Sequence, residues 1–101
     1  MKHIKNQKDF DDIVRENEVV IIDFYTKWCG PCKAIAPFFE KLEKEFPHIV
    51  FVKCDCENSE DVSDTLGVKS IPTFIKFEKG VKTTVISGAN KTELLGLVNG
   101  L

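Results

Sequence analysis

Apolar residues in this chain fall into two kinds of run, one spaced for helices and one continuous. Residues 6–17 carry Phe10, Ile13 and Val14 at helical spacing behind Asn6, a good N-cap, and predict a short amphipathic helix. Val19–Tyr25 is β-branched and aromatic without polar alternation, the pattern of a strand covered on both faces. From Cys32 onward Ile35, Phe38, Phe39, Leu42 and Phe46 recur at helical spacing and predict a long helix closed by Pro47. Pro37 lies inside it, removes one backbone donor and predicts a kink. Ile49–Cys54 reads as another apolar strand, and Ser59–Leu66 as a short helix stopped by Gly67. Thr73–Phe77 and Val81–Ile86 predict a hairpin that turns at Glu78-Lys79-Gly80. Asn90 and Glu93 make a capping-box-like start to a last helix whose apolar side is Leu94, Leu97, Val98 and Leu101. The predicted order is α, β, α, β, α, β, β, α. Strands separated by helices pair in parallel and the hairpin is antiparallel, so the fold class is an α/β sandwich with a mixed central sheet.

Composition narrows the setting. With 101 residues, 43% hydrophobic and 30% charged, the chain predicts one domain spanning residues 1–101. Its 14 basic and 16 acidic side chains are dispersed and sum to -2, which argues against a nucleic-acid footprint. No apolar run is long enough to span a bilayer, so no membrane partner is expected. The basic start, Met1 to Lys8, has no apolar segment behind it, and a cytoplasmic, reducing location is expected. In that setting Cys29, Cys32, Cys54 and Cys56 read as chemical or incidental rather than as a disulfide framework.

The candidate chemistry sits at Trp28-Cys29-Gly30-Pro31-Cys32-Lys33, where the first apolar strand hands over to the long helix. A cysteine at a helix N-terminus meets unpaired N–H groups and the helix dipole, both of which favour its thiolate. Two intervening residues make about one helical turn and bring Cys32 within disulfide reach of Cys29. Gly30 allows close backbone approach and Pro31 stiffens the turn. Cys29, at the tip, is then the nucleophile toward a substrate disulfide, and Cys32 the thiol that resolves the mixed disulfide. The alternative for the pair is half of a zinc site. Asp23 is the one charge in its strand; if buried, its pKa rises and it can take the proton from Cys32, directly or through one water. Its alternative is a frayed strand end facing water. Cys54 and Cys56, two apart on a predicted strand, face the same way and read as small core residues, a secondary redox switch or, with the other two thiols, a four-thiolate metal site. His3 and His48 lie at no metal-ligand spacing and read as surface residues; no metal is expected.

The whole chain resembles the thioredoxin family. Asp23-Phe24, the Cys-Gly-Pro-Cys segment with its flanking Trp28 and Lys33, Pro37, Ile71-Pro72-Thr73-Phe74, Gly80 and Gly88 all fall in the family register. Ser87 to Lys91 and Pro37 to Leu42 resemble its eukaryotic cytosolic branch. The resemblance implies a thioredoxin fold, a central mixed sheet flanked by four α-helices in three layers. It also implies a general protein-disulfide reductase working through a Cys29–Cys32 disulfide in cell redox homeostasis. No bound cofactor is implied; NADPH acts indirectly through thioredoxin reductase. The implied partners are that reductase and disulfide-containing proteins such as peroxiredoxins, with the chain a monomer.

Residue by residue, the resemblance implies a buried acid at Asp23. Lys53 stands where many bacterial members pair a lysine with that acid, although on its own it reads as a surface lysine. Sequence alone expects a trans Ile71–Pro72 bond. The resemblance implies a cis one, with Pro72 against the disulfide and the backbone of Ile71 free to pair with an extended substrate. Trp28, Gly30, Pro31, Ile71, Pro72, Gly88 and Ala89 would then form a flat, mostly apolar rim for substrate around Cys29, though Trp28 alone equally fits partial core packing. The chain departs from the family at Tyr25, often Trp, at Thr26-Lys27, where the lysine should further favour the Cys29 thiolate, and at Ser70, where some animal members carry a cysteine that can dimerise. An oxidase or isomerase is disfavoured because Pro31 stands where those enzymes commonly carry His. A docking module governed by its dithiol state remains as the alternative activity.

Overall fold

A computed structural model of the chain describes residues 1–99. Its elements are β1 (Lys2–Ile4), α1 (Gln7–Glu16), β2 (Val19–Tyr25), α2 (Gly30–Glu45), β3 (Val50–Asp55), α3 (Glu60–Thr65), β4 (Thr73–Glu78), β5 (Val81–Ser87) and α4 (Lys91–Asn99). Five strands form one sheet in the order β1-β3-β2-β4-β5, with β1, β3 and β2 parallel and β4 and β5 antiparallel. The helices α1 and α2 make the crossovers that parallel pairing demands. This is the mixed sheet with four helices that the sequence predicts.

β2 lies in the middle of the sheet, which explains its unbroken apolar run. Val20, Ile22 and Phe24 join a core with Phe10 and Val14 of α1 and Val62 of α3. Ile21 faces the other way, into a core with Ile35, Phe39 and Leu42 of α2 and Leu94, Leu97 and Val98 of α4. Phe39 anchors that second core, with ring centroids 5.2 Å from Phe51 and 5.5 Å from Phe74. Strand alternation puts Asp23 on the same side as Ile21, the α2 side.

Several details differ from the sequence expectation. The apolar pattern does not predict β1: it has three residues of which only Ile4 is apolar and buried, too few to show a period, and pairing with β3 creates it. The apolar stripe of α2 is counted only from Cys32, whereas the helix begins at Gly30, directly after Cys29 as the cysteine motif predicts; Pro31 in the first turn loses only an N–H that would have no helical partner anyway. Cys56 lies past the end of β3, so it does not share a strand face with Cys54. The hairpin turns through Lys79 (φ 51) and Gly80 (φ 81), the two left-handed residues that match the twist of the flanking strands. Asn90 Oδ1 caps α4 by accepting from Glu93 N at 2.9 Å, as predicted, while Leu101 lies outside the described residues.

Candidate active site

Helix α2 starts where the central strand ends, and this junction carries the chemistry. Cys29 is the N-cap of α2, and its Sγ accepts from the Cys32 N–H at 3.1 Å. The two cysteines are joined in a disulfide, with Cα atoms 5.3 Å apart, so the chain is in its oxidised form. Exposure hardly separates them, at 7% for Cys29 and 3% for Cys32. The expectation of a protruding Cys29 is corrected accordingly. What distinguishes the sulfurs is helix position: Cys29 sits at the mouth of the dipole, Cys32 within the first turn. A Cβ at Gly30 would meet no atom within 4 Å, so this glycine leaves open surface beside the sulfur and relieves no internal contact.

Asp23 is buried at 1% exposure, which removes the frayed-end alternative. Burial pushes its pKa up to about 7, against a smaller downward pull from the Lys53 ammonium. Its Oδ1 and the Thr26 Oγ1 are the buried side-chain oxygens without a hydrogen-bond partner among the described residues. Both belong to the segment that leads into Cys29. A carboxyl with no donor to stabilise its anion and a pKa near neutrality can both take and return a proton. Lys53 is half-buried and pairs in register with Asp23 across the β2–β3 ladder, while its Nζ sits 4.7 Å from the centroid of the Tyr25 ring. The structure therefore brings Lys53 to the acid electrostatically, without a direct hydrogen bond.

The Ile71–Pro72 bond is cis. Gly88 N donates to Pro72 O at 2.8 Å, tying the end of β5 to the start of β4. Gly88 has φ 95, a conformation that other residues rarely adopt. Among the described residues neither the N–H nor the C=O of Ile71 has a backbone hydrogen bond, which leaves both for an added strand. Gly30, Pro31 and Ala89 are exposed, Ile71 and Gly88 half-buried and Pro72 buried. Trp28 is 69% exposed, so partial core packing is excluded for it. Its Nε1 donates to Glu57 Oε1 at 3.0 Å. Sequence reasoning misses Glu57, which lies 29 residues from Trp28 with nothing to mark it.

Cys54 is fully buried in the α1/α3 core and Cys56 packs against its edge. Burial pushes their thiols up to about 12 and about 11 respectively, so both stay protonated and unreactive near neutrality. That favours the small-core-residue reading over a redox switch. Among the described residues no three His, Cys, Asp or Glu side chains converge to hold a metal ion. His3 and His48 are exposed.

Comparison with known proteins agrees with this geometry. The family model described as Thioredoxin matches residues 1–99. Thioredoxin 1 of Plasmodium falciparum is 39% identical over 98 residues, covering 97% of this chain and 94% of that protein. The oxidised mitochondrial thioredoxin 3 of Saccharomyces cerevisiae superposes with a TM-score of 0.97 at 36% identity, over 100% of this chain and 95% of that one. A further chain, from work on the thiol resolving mechanism in yeast mitochondrial 1-Cys peroxiredoxin via glutathione/thioredoxin systems, gives 0.96 at 35% identity, over 100% and 95%. A disulfide at a helix N-terminus, a buried acid in the strand that leads to it, a cis proline before β4 and these relatives together place the chain in the thioredoxin family.

Proposed function

We propose that the chain is a eukaryotic cytosolic-type protein-disulfide reductase, recharged by thioredoxin reductase at the expense of NADPH, with peroxiredoxins among its substrates. The observation that carries the reading is the Cys29–Cys32 disulfide at the N-terminus of α2. In the reduced protein the Cys29 thiolate attacks one sulfur of a substrate disulfide and releases the other as a thiolate. Asp23 then takes the proton of Cys32, whose sulfur attacks Cys29 Sγ. The second substrate thiolate leaves, and the two electrons lost by the pair reduce both substrate sulfurs, one proton coming from Cys32 by way of Asp23 and the other from water, with Cys29 and Cys32 joined as they are here. Lys53 tunes Asp23, and Ile71 with Pro72 and Gly88 presents the extended substrate to Cys29, with Trp28, Gly30, Pro31 and Ala89 as the surrounding contact surface. No resident cofactor takes part.

The peroxiredoxin assignment is supported by the structural neighbour from the yeast peroxiredoxin work. The eukaryotic branch is supported by the Plasmodium and yeast relatives and by the segments 37–42 and 87–91. A reducing compartment suits the free thiols of Cys54 and Cys56, and the cytosol is proposed as that compartment. Reduction of a disulfide-bonded test protein, driven by NADPH and a thioredoxin reductase, tests the reading. Cys32→Ser should stop turnover and accumulate the mixed disulfide with Cys29. Full biological activity in that variant would instead support docking governed by the dithiol state.

A further inference from the structure

Beside the redox rim, the carboxyl ends of the three parallel strands enclose a second concavity. Open α/β sheets collect ligands at such strand ends. Here Ile4 ends β1, Tyr25 ends β2 and Asp55 ends β3, and all three line a cavity of about 400 Å³ with His3, Lys5 and Lys27. Two larger hollows, of about 620 and 630 Å³, are lined by residues of β1 and α1 and by the α1–β2 turn with Lys79 and Gly80, and neither includes a residue of the segment from Tyr25 to Cys29.

The lining sets two lysines and an imidazole against one carboxylate, and its lysines are unengaged. Among the described residues none of His3, Lys5 and Lys27 makes a salt bridge. The one acid in the lining, Asp55, is already held by its own turn: Oδ1 accepts from Glu57 N at 2.9 Å and Oδ2 from Asn58 Nδ2 at 3.4 Å. The nearby Glu57 carboxylate is occupied by the Trp28 indole. The cavity's Lys27 immediately precedes Trp28-Cys29, so along the chain the lining adjoins the redox segment. It lies on the β1/β3 flank of Cys29, whereas Ile71 and Gly88 lie on the β4/β5 flank. A substrate segment paired with Ile71 and extended across the end of β2 would reach it.

We propose that this cavity is a substrate subsite that takes an aspartate or glutamate side chain of the disulfide-bearing protein engaged at Cys29. It would rank substrates by the acidity of the segment flanking the attacked cysteine. The proposal rests on the reductase reading. It is also specific against the background charge: the chain carries -2 overall, so long-range electrostatics disfavours an acidic substrate and any advantage must come from a local site.

The test uses the fully reduced chain in single turnover, with Trp28 fluorescence as the signal. Peptides of one sequence, each closed by one disulfide, carry either paired glutamates or paired glutamines on each side of the cysteines. An exposed ion pair changes an equilibrium roughly twofold to fivefold, so two lysines should make the glutamate peptide about fivefold faster at low salt. Raising the salt to about 0.3 M should shrink that ratio below about twofold. Lys5→Gln combined with Lys27→Gln should bring it close to one; the ratio within each variant cancels any change in Cys29 reactivity. Equal rates for the two peptides in the unaltered chain, or a ratio that survives the double substitution, would overturn the subsite. If neither peptide is reduced, the reductase reading itself fails and the subsite falls with it.

Discussion

Asp23→Asn removes an ionisation while nearly conserving volume, and its effect on stability can be worked out from the position of the carboxyl. Burial holds the folded pKa at about 7, against an ordinary value of 3.8. The folded state therefore binds this proton more tightly than the unfolded chain does. Between the two pKa values the unfolded chain has lost the proton and the folded chain still carries it, so stability falls as pH rises through this window. The slope is at most about 1.4 kcal/mol per pH unit, and the loss levels off near about 4 kcal/mol above pH ~7. Below pH ~4 both states are protonated and the group contributes nothing. Asparagine has no such term. Any fixed cost of burying its amide without a partner appears as a pH-independent offset. Urea unfolding of the oxidised proteins, followed by circular dichroism from pH 3.5 to 8.5, should therefore show the variant gaining on the wild type by about 4 kcal/mol across the window. Parallel curves would refute the buried-acid reasoning. In the same variant disulfide reduction should slow, most where Cys32 has to lose its proton; unchanged rates at every pH would take Asp23 out of the mechanism.

Lys53→Gln removes the charge that pulls the Asp23 pKa down, so the pH window of falling stability should extend upward; a titration of ΔG against pH that does not move would separate Lys53 from the acid. Glu57→Gln weakens the hydrogen bond that holds the sole tryptophan, so intrinsic fluorescence should change and kcat/KM for protein disulfides should fall about twofold to fivefold, whereas an unchanged spectrum would mean that the indole is positioned by other contacts. With its thiol near 11, Cys56 has a thiolate fraction of about one in a thousand at pH 8, so iodoacetamide should leave it and Cys54 unmodified in the native oxidised protein on a timescale that labels both after unfolding, as read by mass spectrometry.

The difference between what could be read from sequence and what needed the fold is physical. β2 is legible because a run of residues buried on both faces has no polar alternation, and one carboxylate inside such a run cannot reach water. Asp23 is therefore legible from the sequence alone. Helix α2 is legible from its apolar stripe, but its start is legible only from the cysteine motif: Cys29 caps it, Gly30 and Pro31 open its first turn, and none of them belongs to the stripe. β1 has no period to detect and exists because β3 offers it an edge. Trp28 looks the same in sequence whether it fills a core or stands at 69% exposure, and only its contact with Glu57, from the turn after β3, shows what holds it. The cis bond before Pro72 runs against the statistics of proline and is visible only through family likeness. His3, Lys5 and Lys27 make the same point most strongly. Lys5 and Lys27 are exposed cations of a kind found all along the chain, and His3 is an exposed imidazole. Their common role depends on three strands ending at one level beside Cys29, a convergence that no local pattern encodes. Residues that act by being confined leave a mark in sequence, whereas residues that act by meeting others across the fold do not.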